Sequence, residues 1–138
     1  ATKCISYLTI EHKSDIDHEL MNNMGNHIYG CDDCLSVCPW NKFASPTQEK
    51  QFMPRIELTA PRLKDLAELD DTTFRKIFAG SPIKRTGRDR FVRNVLIAIG
   101  NSNLTALKLS AQKLTNDRSE IVANTAQWAL SKLDRLDN

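Results

Sequence analysis

Four cysteines stand in the first 38 residues of this 138-residue chain and none follows. Three are grouped in Cys31-Asp-Asp-Cys34-Leu-Ser-Val-Cys38-Pro39, and Cys4 lies upstream. A disulfide framework spreads its crosslinks over a domain, whereas clustered thiols without a recognisable secretory signal point to a metal. The spacing reproduces the last three cysteines and the proline of the bacterial C-x2-C-x2-C-x3-C-P iron–sulfur run. The first position of that run would be residue 28, where Ile28 stands, and Cys4 is the remaining thiolate that could fill it. A cubane cluster presents its irons at tetrahedral corners, so short loops set successive thiolates on neighbouring corners. Leu35, Val37, Trp40 and Ile28 would then supply an apolar shell that lowers the local dielectric. Zinc is the competing metal: the same four thiolates could bind it tetrahedrally, with His27 or His12 as a replacement ligand. Iron–sulfur is preferred, because four-thiolate zinc sites usually carry paired C-x2-C knuckles and need no proline after the last cysteine.

A second candidate site comes from charge. The net charge is only +2, yet residues 51–100 hold 10 basic and 6 acidic residues, while residues 1–50 hold 4 and 7. Lys84, Arg85, Arg88, Arg90 and Arg93 place five cations in ten residues, interrupted by Asp89 alone. Such a cluster is a candidate phosphate-binding patch that would hold RNA by charge and shape rather than by base sequence. The bland alternative is a solvated helix face with intrahelical pairs. His12, His18 and His27 read as packing or hydrogen-bonding residues, with His12 the one expected nearest the cluster. No apolar run approaches the roughly 20 residues of a membrane span, so a soluble, cytoplasmic protein is expected. The chain opens on alanine and a cysteine follows at position 4, which suggests a missing N-terminal part.

The elements that must position these residues divide near residue 60. Residues 4–11 are rich in β-branched and aromatic side chains and predict a strand or extended loop. Ser14 or Asp15 is the expected cap of a helix from Ile16 to Met24, ended by Gly25. Trp40 to Pro61, with Pro46 and Pro54, reads as a surface linker. Beyond it the pattern is helical. Pro61 opens a helix carrying Leu63, Leu66 and Leu69, and Asp71 caps another carrying Phe74, Ile77 and Phe78. Further helices are expected over Arg88–Ile99, Leu104–Leu114 and Ile121–Leu136. Shifting Phe91-Val92-Arg93-Asn94 by 30 residues lays it on Ile121-Val122-Ala123-Asn124, a weak internal repeat of the kind found in stacked helix pairs. A plain helical bundle is the alternative. The expected fold is mainly α: a ferredoxin-like iron–sulfur segment with linker over residues 1–60, then a HEAT-like α-helical repeat domain over 61–138.

Several strings together resemble the epoxyqueuosine reductases of tRNA modification over nearly the whole chain. They are Cys4-Ile5-Ser6-Tyr7-Leu8-Thr9-Ile10-Glu11-His12, Gly25-Asn26, Ile28-Tyr29-Gly30-Cys31-Asp32-Asp33-Cys34, Cys38-Pro39-Trp40-Asn41, Gly80-Ser81-Pro82-Ile83-Lys84-Arg85 and Gly87-Arg88. The resemblance implies an oxidoreductase that reduces epoxyqueuosine to queuosine in the tRNA anticodon region, with cobalamin at the active site and two 4Fe–4S clusters feeding it electrons. It implies that Cys4, Cys31 and Cys34 hold one cluster, that Cys38 reaches to the other, and that the helical region binds tRNA. It also implies that the first cysteine run, the cobalamin-binding catalytic domain and the catalytic acid precede this chain, so the chain alone is expected to be inactive. An electron donor protein is a further implied partner. Two other readings stay open: a zinc- or cluster-stabilised RNA-binding module without catalysis, and a ferredoxin-like electron carrier.

Overall fold

A computed structural model describes residues 2–49 and 56–136, the side chains of residues 56 and 57 excepted. The expected linker residue Pro54 falls outside the described residues. Helices run α1 Ile5–Ile10, α2 His18–Asn23, α3 Asp33–Ser36, α4 Ile56–Thr59, α5 Leu63–Ala67, α6 Asp71–Ile77, α7 Arg88–Asn101, α8 Lys108–Lys113 and α9 Glu120–Asp134. Short 3-10 turns cover Pro39–Phe43, Pro82–Thr86 and Thr105–Leu107. Among the described residues there is no strand.

The central element is α7, every residue of which from Phe91 to Gly100 is buried. A helix that is apolar around most of its circumference belongs in the middle of a fold, and α7 packs on α1, α2, α5, α6 and α9. Phe91 meets Phe74 and Phe78 of the α6 region, with ring centroids 5.4 and 5.0 Å away. Val122, Ala126, Ala129 and Leu133 of α9 close the other side. Leu8, Ile16, Met21 and Met24 join the same core, so the cysteine-bearing segment is built onto the helical region through shared apolar burial.

The expected strand over residues 4–11 is the main correction. Ile5, Leu8 and Thr9 form one helical face, with Leu8 and Thr9 buried, and this face decides against the local β propensity. The first α2 cap is Asp17, whose carboxylate accepts from the Glu19 amide at 2.8 Å, rather than Ser14 or Asp15. Ile16 stays outside the helix as a buried plug. Asp70, not Asp71, caps α6, accepting from the Thr73 amide at 2.7 Å, which holds its carboxyl below the usual range. Pro61 precedes α5 instead of opening it, and Arg62 is the cap residue. The expected helices over Arg88–Ile99 and Ile121–Leu136 are present with small shifts in their ends, the one over Leu104–Leu114 divides into the Thr105–Leu107 turn and α8, and the expected linker contains α4.

The α7–α9 contact is tight at Gly100. A Cβ placed there would lie 2.5 Å from Trp128 Cζ3 and 3.1 Å from the Ala129 Cα. Gly100→Ala should therefore lose about 1–3 kcal/mol to overpacking, more than its gain of roughly 1 kcal/mol in helix propensity. A urea midpoint at or above that of the parent chain would show that the helices part without penalty.

Candidate iron–sulfur site and its supporting arginines

Cys4 caps the start of α1 without helical backbone angles, and the amides of Tyr7 and then Ser6 lower its thiol pKa. Ser6, half a turn on, fixes the other end of the site: its hydroxyl accepts from the Cys31 amide at 2.9 Å and donates to the Cys31 carbonyl at 3.1 Å. Thr9 on the next turn accepts from the Gly30 amide at 3.0 Å. Gly30 has φ +77°, a left-handed conformation that turns the chain into the cysteine loop and that other residues adopt only with strain. The hydroxyl face of α1 thus latches residues 30 and 31.

Cys34 lies in α3, and Cys38 caps the Pro39–Phe43 turn, with its amide donating to the Leu35 carbonyl at 3.0 Å. The Asn41 side-chain amide also donates to the Leu35 carbonyl, closing the loop. All four cysteines are free thiols, Cys31 and Cys38 half-buried and Cys4 and Cys34 exposed. The Asp33 amide pulls the Cys31 thiol down, but burial, the Asp33 carboxylate and the neighbouring Cys34 outweigh it and leave the pKa raised. Free thiolates of this kind suit a thiophilic metal or an iron–sulfur cluster, but among the described residues no three of the four cysteine sulfurs lie within 4.8 Å of one another, and the ligand atoms that do gather are those of His27, Cys31 and Asp33. His27, not His12, is the histidine beside them: its Nε2 is 4.0 Å from Cys31 Sγ and 3.4 Å from the Asp33 carboxylate. His12 turns away to the Asp15 carbonyl and the Ser14 hydroxyl.

The expected apolar shell is only partly formed. Ile28 packs on the core, while Leu35, Val37, Trp40 and Phe43 are 58, 80, 73 and 65 % exposed.

The five cations expected to bind RNA separate into two sets. Lys84 and Arg85 are exposed on the Pro82–Thr86 turn, Arg85 pairing with Glu11 at 2.7 Å. Arg88, Arg90 and Arg93 are turned inward by acceptors. Arg88 donates to the Leu69 carbonyl at 3.0 Å and pairs with Asp117 at 2.8 Å. Arg90 reaches the Ile10 carbonyl at 3.0 Å and the Thr86 carbonyl at 2.6 Å. Arg93 is fully buried and donates to the carbonyls of Leu8 at 2.8 Å, His12 at 3.0 Å and Ser14 at 2.8 Å. Burial first, then neighbouring Arg90, lowers its pKa to about 10, and Asp15 opposes that shift, so it stays charged at neutral pH.

The contacts of Arg90 and Arg93 with residues 8–12 have one cause. The last carbonyls of a helix have no partner within it and carry the negative end of its dipole. At the end of α1, Arg93, Arg90 and Asn94 of α7 supply the missing donors, Asn94 giving its amide to the Thr9 and Ile28 carbonyls at 2.8 Å each. Asn101 does the same for α2, donating to Met21 at 2.8 Å and Gly25 at 3.1 Å. Sequence reasoning missed this role. Its signal was the adjacent polar pair Arg93-Asn94 inside an apolar helical run.

Residues 1–41 match the family model described as a 4Fe-4S double cluster binding domain. Over 96 % of its length the chain is 41 % identical to an epoxyqueuosine reductase of Alicycliphilus denitrificans and 42 % identical to one of Pseudomonas aeruginosa. It spans 39 and 37 % of those relatives' lengths. A crystal structure of an epoxyqueuosine reductase with a tRNA-Tyr epoxyqueuosine-modified tRNA stem loop superposes with a TM-score of 0.87 at 29 % identity, over 94 % of this chain and 35 % of that one. The epoxyqueuosine reductase of Streptococcus thermophilus gives 0.84 at 26 % identity, over 96 and 35 %. The chain thus resembles the epoxyqueuosine reductases across nearly all of itself and just over a third of them.

The capping role of Arg93 is directly testable. Arg93→Met leaves three carbonyls without their charged donor, and a buried unsatisfied group costs about 1–3 kcal/mol, so a loss of about 3 kcal/mol or more is expected. Arg93→Lys keeps the charge without the fork and should recover less than half of it. Denaturant midpoints for the two variants decide the matter, and equal stability of Arg93→Met and the parent chain would refute the role.

Proposed function

We propose that this chain, which resembles epoxyqueuosine reductases over 96 % of its length, is the C-terminal, cluster-carrying and tRNA-contacting portion of such an oxidoreductase. The observation that carries the reading is the latch of Ser6 and Thr9 on residues 30 and 31, which ties the segment behind Cys4 to the loop of Cys31, Cys34 and Cys38. Cys4, Cys31 and Cys34 hold one 4Fe–4S cluster and Cys38 reaches to a second. When bound, such clusters pass electrons singly, here toward a cobalamin held by the part of the enzyme that this chain does not span. The reaction served is reduction of epoxyqueuosine to queuosine in the tRNA anticodon region, with a separate donor protein supplying electrons. A tRNA substrate places the enzyme in the cytoplasm. Residues 1–60 act as the ferredoxin-like cluster segment and residues 61–138 as a HEAT-like helical part that docks the RNA, where the exposed Lys84 and Arg85 contact phosphate. The chain alone has no reductase activity.

A second reading has one observation in its favour. Ligand atoms of His27, Cys31 and Asp33 lie within 4.8 Å of one another, an arrangement that also suits zinc. A zinc-held, non-catalytic RNA-binding module would result.

Anaerobic reconstitution with iron and sulfide separates the two. The reading expects bound iron and sulfide with broad visible absorption, both lost in a Cys31→Ser, Cys34→Ser double variant. Stoichiometric zinc that iron and sulfide do not displace, and that His27→Ala weakens, would overturn it.

A further inference from the structure

Three cations that the charge run did not include meet on the surface beside it. Lys13 follows α1, Arg75 lies on α6 and Arg118 precedes α9, yet all three line one open cavity of about 530 Å³. Arg88 and Arg90 form its wall from behind, their guanidinium groups already held by protein acceptors. Two carboxylates face the same space, Asp71 paired with Arg75 at 2.6 Å and Asp89 near Arg88 at 3.3 Å. Lys13 and Arg118 are exposed and make no hydrogen bond or ion pair among the described residues. Five cations against three carboxylates, Asp117 behind Arg88 included, therefore leave a concave surface of positive potential in which the two unpaired cations are the movable ones.

We propose that this cavity binds a phosphate of the RNA backbone, with Lys13 and Arg118 as its closing contacts. The inference rests on the tRNA reading above and moves the principal backbone contact away from most of the residues nominated by the sequence. Its logic is a division of labour. Arg88 and Arg90 cannot leave their carbonyl and carboxylate acceptors without exposing them, so they contribute field but not reach. Lys13, whose charge also acts on the Glu11 carboxylate, and Arg118 give up no hydrogen bond or ion pair on meeting an anion. A concavity of this size admits a phosphate with its sugar, whereas the two cations come from segments about a hundred residues apart in sequence, so only the folded chain offers the site.

The test uses the whole chain, a tRNA anticodon stem loop and inorganic phosphate. Lys13→Gln with Arg118→Gln should weaken stem-loop binding at least tenfold. It should also flatten the dependence of log affinity on log salt by about 0.7–0.9, the contribution of one phosphate contact. Lys64→Gln, outside the cavity, should change neither. In the parent chain, phosphate should shift the amide resonances of Lys13, Gly87 and Arg118, and the double variant should lose those shifts. Unchanged stem-loop affinity and salt slope in the double variant would overturn the cavity proposal and leave the RNA reading standing. A parent chain that fails to bind the stem loop would overturn the RNA reading itself, and polyglutamate binding as tightly as RNA would overturn the choice of partner.

Discussion

Carbonyl groups at the end of a helix must find donors outside it, and most helices in soluble proteins leave that to water or to a capping turn. Here the donors of α1 come from another helix entirely. Arg93 sits without solvent contact among the carbonyls of Leu8, His12 and Ser14, and Asn94 beside it binds both Thr9 and Ile28. A buried charge is tolerated only when its hydrogen-bonding needs are met, and this one is met by five short bonds, two of them to the Asn94 side-chain oxygen. The consequence runs outward from α7. With the end of α1 held, its hydroxyl face is fixed, and with that face fixed, Gly30 and Cys31 are too.

This arrangement explains why a boundary in composition near residue 60 does not correspond to a gap in the core. Leu8, Ile16, Met21 and Met24 pack into the same apolar cluster as α7 and α9. The proposed division between cluster segment and helical part is one of roles, carried on a common scaffold. Charge placement follows the same plan: cations nearest the core serve the protein's own carbonyls, and those farther out, Lys13, Lys84 and Arg118 among them, face solvent.

The long helices were legible because their apolar repeats are long. Phe91, Val92, Val95, Leu96 and Ile99 predict α7 almost to its ends, and the stripe through Ala126, Ala129 and Leu133 predicts α9. The cysteine loop was legible because its spacing is chemically specific. The segment Ile5–Ile10 was not, since six residues, three of them β-branched, carry too little periodicity to reveal a helix held by partners some 80 positions away. The same remoteness hid the job of Arg93. Lone arginines in a basic run look alike in one dimension, and only the fold sorts those that meet a carbonyl from those that meet water. Lys13 and Arg118 escaped notice for the complementary reason, being far apart in sequence and unremarkable singly.

The contrast between α7 and the loop carrying Leu35, Val37, Trp40 and Phe43 implies an uneven energy landscape. Opening α7 means exposing the whole core, whereas residues 32–43 are nearly all at the surface and are tethered chiefly at their beginning. Amide exchange in that loop should therefore proceed by excursions that leave the spine folded. Loading or loss of the proposed cluster would then involve that loop and leave the core of α7 and α9 folded.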